Sequence, residues 1–156
     1  MCAKPLVLLR GGGALASGVA YRLHRAGLPV VITELPKPLT VRTTVSYGMA
    51  AVYKTVIIEG VTARRADLAD LPALYALLDC GLIPVLIDPE GAAIAALEPA
   101  VIVDGRMAKT ILDTHIDQAP LVVALGHGFV AGQDCHAVIE TNCRTSFRAR
   151  LLAWRR

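Results

Sequence analysis

The start of the chain contains the pattern that most constrains its fold. An apolar run at residues 6–9 is followed by a cluster of glycines, an amphipathic segment and a second apolar run at residues 29–33. A dinucleotide-binding turn requires one glycine for the tight turn, a second where backbone approaches a pyrophosphate, and a small residue where the helix packs on the strand. Gly11, Gly13 and Ala16 occupy these places. The order predicts a β-α-β unit that holds a nucleotide.

The second apolar run ends at an acid, Glu34, which lies 21 residues after Gly13. A carboxylate at about this spacing accepts hydrogen bonds from the ribose 2′-hydroxyl, and its charge disfavours a 2′-phosphate. We therefore expect NAD or another adenine nucleotide as the cofactor, with NAD preferred to NADP. The candidate contact residues are Gly11, Gly12, Gly13, Leu15, Ala16 and Glu34. The alternative is a glycine turn that serves packing alone.

The remaining chain alternates apolar runs with amphipathic segments, which is typical of an α/β fold. We predict a Rossmann-like, doubly wound, three-layer domain with a mostly parallel sheet of six or seven strands. Helices are expected over residues 40–53, 70–79 and 107–112, and the last strand, as an antiparallel edge, over residues 137–140. The expected strand ends Glu34, Gly60, Asp88, Asp104 and Gly126 would then lie along one carboxyl edge, where such sheets bind ligands.

Composition bounds the domain organisation and the partners. The 156 residues are 54% hydrophobic and 19% charged, which suits one packed core, and no apolar run reaches the roughly 20 residues of a membrane helix. The formal charge is +3, but the five arginines of residues 143–156 contribute +5, so the rest carries −2. We predict a nucleotide-binding domain at residues 1–142 without a nucleic-acid surface, and a basic tail at 143–156 that is solvated or forms a fraying helix.

The four cysteines show neither a C-x-x-C pair nor zinc-finger spacing, which indicates a reduced, cytoplasmic setting. His127, Cys135, His136 and Cys143 lie close in sequence, but their spacing matches no common metal motif, so no metal is predicted. The expected carboxyl edge offers several groups for proton transfer, none in a known catalytic grouping, and the catalytic residues stay unassigned. These groups are Asp104, Arg106, Lys109, His115 and His127.

Six stretches together resemble the YqeB family, accessory proteins associated with selenium-dependent molybdenum hydroxylases. The stretches are RGGGALASGVA (10–20), ITELPKPL (32–39), PVLIDP (84–89), VDGRMAK (103–109), IDQAPL (116–121) and GHGFVAGQDCHAVIET (126–141). The resemblance covers nearly residues 5–142. It implies a Rossmann-like protein of a bacterial or archaeal cytoplasm that acts in the maturation of these hydroxylases, with such an enzyme as its partner.

The chain departs from the family pattern in three places. Ala14 stands where an Asp is expected after the glycines, and His127 stands where a Pro is expected. Relatives continue beyond the segment that ends near residue 142, whereas this chain turns into an arginine-rich tail, so we expect a short or truncated form. The favoured function is a nucleotide-binding accessory protein, with a homodimer expected. The alternatives are an NAD-dependent oxidoreductase on a small metabolite and an interaction module whose glycine turn is purely structural.

Overall fold

A computed structural model of the chain describes residues 4–108, 110, 112–142 and 148–154. The strands are β1 Val7–Arg10, β2 Val30–Glu34, β3 Thr55–Ile58, β4 Val61–Ala66, β5 Ile83–Ile87, β6 Val101–Asp104, β7 Leu121–Leu125, β8 Ala137–Asn142 and β9 Arg148–Trp154. The α-helices are α1 Ala14–Arg25, α2 Ala50–Tyr53, α3 Leu71–Asp79 and α4 Ala92–Leu97. Single turns of 3-10 helix occur at Thr43–Val45, Tyr47–Met49 and Ile116–Gln118.

The strands form one sheet in the order β3-β4-β5-β2-β1-β6-β7-β8-β9. All neighbours from β4 to β8 are parallel, and the edge strands β3 and β9 run antiparallel to the strands beside them. Strand β1 lies between β2, the next strand in the chain, and β6, a much later one. The predicted α/β class and mostly parallel sheet are confirmed.

The number of strands and the identity of an edge strand differ from the prediction. Nine strands are present in the described residues instead of six or seven. Strand β4 was not predicted, because the adjacent, exposed Arg64 and Arg65 interrupt the alternation of buried and exposed residues that indicates a strand. Strand β8 is parallel to β7 and is covered by β9, so the predicted antiparallel edge is wrong there. Residues 148–154 of the basic tail are strand, and not helix.

One predicted member of the ligand-binding edge lies elsewhere. Gly60 is in the turn between β3 and β4, and β3 is antiparallel to β4. Its position is therefore at the opposite edge of the sheet from the carboxyl ends of the parallel strands. The ends of β2, β5, β6 and β7 do share one edge, as the parallel pairing requires.

The long helix predicted over residues 40–53 is wrong, because only Ala50–Tyr53 is α-helical. The β-branched residues of Thr43–Val45 disfavour an α-helix and form a single 3-10 turn. Ser46 is extended, with φ −120° and ψ 110°, which interrupts the helical path. The following residues dock on the turn after β1, and this tertiary contact decides their conformation.

The short helix predicted over residues 107–112 is also absent from the residues that the structure describes there. Met107, Ala108, Thr110 and Leu112 are not helical, and Lys109 and Ile111 lie outside the described residues. Met107 has a φ of +53°, which an α-helix cannot accommodate. By contrast, α3 begins as predicted, because the Asp70 carboxylate accepts a hydrogen bond from the Ala73 N–H at 3.1 Å.

Apolar side chains form two buried clusters. One contains Ala16 and Ala20 of α1 together with Leu9 of β1. The other contains Leu74 of α3 and residues of α4, together with Leu8 of β1. Since consecutive residues of a strand point to opposite faces, the helices cover both sides of β1. None of the helices in the described residues has the length and apolar character needed to cross a membrane.

The residues before α2 are held against the turn after β1 by backbone contact. The Gly48 N–H donates to the Gly12 carbonyl at 2.9 Å, and the Tyr47 N–H donates to Ser17 Oγ at 2.8 Å. The Ser17 hydroxyl in turn donates to the Gly12 carbonyl at 3.0 Å. A Cβ on Gly12 would lie 2.6 Å from the Gly48 backbone, so a side chain at this position cannot be accommodated without a shift.

Gly12→Ala is therefore expected to lower the free energy of unfolding by about 2 kcal/mol, because overpacking against rigid backbone is costly. Gly13→Ala is the matched control, since its φ is −66° and a Cβ there would lie 4.0 Å from the nearest atom. It should stay within about 0.5 kcal/mol of the wild type. Urea denaturation of both variants measures the difference, and equal stabilities would contradict the close contact.

Candidate functional site

A cavity of about 1340 Å³ opens at the carboxyl ends of β1, β2, β5 and β6. Its walls include the glycine turn, the first turns of α1 and the ends of these strands, and residues of the segment 35–45 form another side. The chain runs from β1 to β2 on one side and reaches β6 on the other. Crevices at such a reversal of strand order are where open α/β sheets bind ligands.

The glycine turn has the conformation that the sequence predicts. Gly11 has a φ of +88°, in the left-handed region that favours glycine, and a Cβ there would lie 3.0 Å from Arg106 Cα. Gly12 is buried by the contact with Gly48. Gly13 lines the cavity, and a Cβ at this position would lie 4.0 Å from its nearest neighbour, the Thr40 hydroxyl. Of the three glycines, Gly13 is therefore the one that leaves room for a ligand against the backbone.

Helix α1 begins at this opening without a side-chain cap. Gly13 is its N-cap, no side chain of the described residues accepts from the first turn, and that turn contains no acid. The first N–H groups of a helix have no intrahelical acceptor, and they carry a partial positive charge. The first intrahelical bond runs from the Ser17 N–H to the Gly13 carbonyl at 2.8 Å. The N-terminal backbone of α1, with Ala14 and Leu15 lining the cavity, therefore suits an anion.

Glu34 lies beside the glycine turn at the end of β2, as predicted. Its Oε1 accepts from the Gly12 N–H at 2.9 Å, and its Oε2 accepts from the Leu35 N–H at 2.7 Å. The carboxylate is half-buried and lines the cavity. It thus fixes the turn and still presents acceptor oxygens at the cavity wall.

Ala16 has the packing position that the fingerprint requires of its small residue. It is 1% exposed, and a Cβ added to Gly105 would lie 2.8 Å from the Ala16 Cβ. The Gly105 N–H donates to the Arg10 carbonyl at 2.8 Å. Small residues on both sides let α1 approach the end of β6 closely.

The polar groups at the end of β6 bind one another. Arg106 donates from Nε and Nη2 to the two oxygens of Asp104, at 3.2 Å and 2.7 Å. The Thr114 hydroxyl donates to Asp104 at 2.5 Å. Burial raises the pKa of Asp104, but the hydrogen bonds from Arg106 and Thr114 outweigh it, and the pKa lies below its usual value. Asp104 is therefore held in its charged form by Arg106 and Thr114.

Asp88 at the end of β5 is also engaged. Its two carboxylate oxygens accept from the N–H groups of Ala92 and Ala93, at 2.9 Å and 2.8 Å. It thereby satisfies the first N–H groups of α4. Like Asp104, it has a structural role that occupies its oxygens.

A carboxylate joins two arginines that line the cavity. Asp113 accepts from Arg10 Nη2 on one oxygen and from Arg106 Nη1 on the other, both at 2.6 Å. Arg10 is 3% exposed, whereas the Asp113 side chain is 46% exposed. Burial raises the pKa of Asp113, but the hydrogen bonds and charges of the two arginines outweigh it and lower the pKa to about 2.

The other candidates from the sequence lie apart from this cluster. His127 is 83% exposed, and its Nδ1 lies 3.4 Å from Glu140 Oε1. His115 is exposed, and Lys109 is outside the described residues. Cys135 is buried, as expected of a small apolar residue, and burial raises the pKa of its thiol. No group of three or more potential metal ligands forms within the described part of the chain; Cys143 falls outside it.

Sequence reasoning missed several residues of the site: Arg10, Gly48, Gly105, Asp113 and Thr114. Arg10 carried a signal, because a charged residue that ends an apolar strand must find a partner when it is buried. Asp113 carried none, since it is 103 residues from Arg10 in the chain. Gly48 likewise shows its role only through its contact with Gly12.

The ion pairs of Asp113 should make stability depend on pH in a specific window. Its pKa in the folded chain is about 2, below the usual value near 4, so its contribution is complete above about pH 4 and is lost as the pH falls towards 2. Urea denaturation of wild type and Asp113→Asn should give a difference in unfolding free energy that shrinks over this range. The exposed Asp117→Asn is the control. A difference that is constant from pH 6 to pH 2 would contradict the ion pairs.

Comparison with known proteins gives one curated similarity. Over 137 residues, 88% of this chain, the sequence is 47% identical to a protein of Escherichia coli K12 named uncharacterized protein YqeB. The chain spans 25% of the length of that protein. No protein-family model and no solved structure matches the chain. Over most of its length, the chain is therefore similar to part of the YqeB protein.

Proposed function

We propose that this chain binds an adenine nucleotide, such as NAD, at the glycine turn, and that it does so as an accessory protein in the maturation of selenium-dependent molybdenum hydroxylases. The observation that carries the nucleotide proposal is the uncapped start of α1 at Gly13, open to the cavity. The pyrophosphate would lie against the backbone of Gly13 and Leu15, where the helix dipole favours negative charge. The ribose would lie by Glu34.

A Rossmann-like, three-layer arrangement fits this proposal. Strand β1 lies at the reversal of the strand order, and helices cover both of its faces. The Gly11 turn, the close packing of Ala16 and the acid at the end of β2 match the three structural requirements of the fingerprint. The combination supports a nucleotide site over a turn that serves packing alone.

An accessory role is favoured over the alternative of an NAD-dependent oxidoreductase by the ionic groups at the cavity. Asp88 caps α4 and Asp104 binds Arg106, so both carboxylates are committed to structural contacts. Proton transfer requires a group that can change its protonation state near the operating pH. Among the described residues that line the cavity, none is a histidine, cysteine or lysine.

Gly13→Val should abolish nucleotide binding, because its branched side chain would fill the space that the pyrophosphate requires. The backbone at this position, with φ −66°, accepts a side chain, so the variant should fold. The measurement is titration calorimetry with NAD, NADP, ATP and AMP. Ala76→Val, at an exposed position of α3, is the control. The nucleotide proposal would be contradicted if all dissociation constants of the wild type were above about 1 mM, or if Gly13→Val bound as the wild type does. Either result would indicate that the glycine turn serves packing alone.

The same titrations test the role of Glu34. We expect the wild type to bind NAD about tenfold more tightly than NADP, which corresponds to about 1.4 kcal/mol. Glu34→Gln keeps one oxygen for the Gly12 N–H and removes the charge that disfavours a 2′-phosphate. The NAD preference should therefore disappear while the fold remains. A preference that survives in this variant would assign the ribose to another place.

The accessory role is tested in a host that contains a selenium-dependent molybdenum hydroxylase. Deletion of the gene should lower both the hydroxylase activity and the selenium content of the purified enzyme, while the amount of enzyme protein stays the same. Complementation with wild type should restore both, and complementation with Gly13→Val should not. Normal activity with normal selenium after deletion would remove the accessory role, and turnover of a nicotinamide cofactor with a metabolite would favour the oxidoreductase.

A further inference from the structure

The guanidinium of Arg10 has one donor group without an acceptor. The side chain is 3% exposed, and its Nη2 donates to Asp113. Its Nη1 is buried and has no hydrogen-bond partner among the described residues. A buried, charged N–H group without a partner is costly, and such groups are rare in folded proteins. Arg10 therefore lines the cavity while its buried Nη1 lacks an acceptor among the described residues.

The carboxylate of Asp113 is bound as an external anion would be bound. Two guanidinium groups, Arg10 at the end of β1 and Arg106 just after β6, each donate to one of its oxygens at 2.6 Å. Charge-assisted bonds from arginine are the usual means by which proteins hold carboxylates and phosphates. Both oxygens of Asp113 accept hydrogen bonds from the arginines, and Arg10 Nη1 still has no acceptor among the described residues. A tetrahedral oxyanion has the third oxygen that a carboxylate lacks.

The surroundings of Arg10 allow such an exchange. Asp113 is 46% exposed, so a rotation of its side chain into solvent can free both arginines. Position 91 is a glycine, and a Cβ there would lie 3.2 Å from Arg10 Nη2 and 3.7 Å from Asp113 Oδ2. The absence of a side chain at Gly91 thus lets the Arg10–Asp113 pair lie close to the backbone at the start of α4.

We propose that Arg10 and Arg106 form a second anion site, which takes a phosphate-type oxyanion in place of the Asp113 carboxylate. The site goes beyond the nucleotide site at the start of α1 and does not depend on it. Leu9 packs with the cluster of α1, whereas Leu8 packs with the cluster of α4. Because side chains alternate along a strand, Arg10 shares the face of Leu8, opposite α1. The oxyanion would belong to a separate substrate.

The test uses inorganic phosphate as the probe and titration calorimetry at constant ionic strength. Asp113→Asn removes the competing charge, and it should bind phosphate at least tenfold more tightly than the wild type. Asp117→Asn makes the same change at an exposed aspartate that has no ion pair among the described residues, and it should bind as the wild type does. Acetate, run in parallel, should gain less than phosphate from Asp113→Asn, because it has no third oxygen for Arg10 Nη1.

Double variants separate this site from the glycine turn. Asp113→Asn with Gly13→Val should keep the gain in phosphate affinity, whereas Asp113→Asn with Arg10→Gln should lose it. If Arg10→Gln does not fold, Arg106→Gln in the same background takes its place and should also lose the gain. Phosphate binding that is no tighter in Asp113→Asn than in Asp117→Asn would overturn the proposal. So would a gain that disappears with Gly13→Val, because the phosphate would then lie at the start of α1.

Discussion

The contact between the backbones of Gly12 and Gly48 is the constraint on which the cavity depends. The Gly48 N–H donates to the Gly12 carbonyl, and the Gly12 N–H donates to Glu34, so both backbone groups of Gly12 are satisfied within the protein. Neither glycine has space for a Cβ. Gly12 is therefore bound away from the cavity, whereas Gly13, at the start of α1, lines it. The opening is thus a consequence of where the neighbouring backbone is already bound.

The burial of Arg10 is a second constraint, and it determines how the charged side chains at the carboxyl edge pair with one another. A buried guanidinium is stable only with partners, and Asp113 supplies one while it also binds Arg106. Arg106 in turn binds Asp104 at the end of β6. The ends of β1 and β6 are therefore linked by ionic contacts as well as by the sheet. The same linkage occupies the carboxylates of Asp104 and Asp113.

Local signals predicted the elements whose determinants are close in sequence. The apolar run, Gly11 and Ala16 identified β1, the turn and α1, and Asp70 identified the beginning of α3. Glu34 was found because its distance from the glycines is a property of the β-α-β unit. The helix expected over residues 40–53 failed for the opposite reason. This segment contains Tyr47 and Gly48, whose N–H groups donate to Ser17 and Gly12, more than 25 residues earlier in the chain. Its conformation is therefore set by contacts that are distant in sequence.

The sequence by itself determined the α/β class, the β-α-β unit at the start and the candidate residues Gly11, Gly13, Ala16 and Glu34, because periodicity and short spacings encode them. The tertiary structure decided the strand order, the two added strands β4 and β9, and the ion pairs that join Arg10, Arg106 and Asp113. These depend on contacts between residues far apart in the chain. Such contacts produce no periodic pattern in the sequence, because each partner resembles an ordinary charged or small residue among its sequence neighbours.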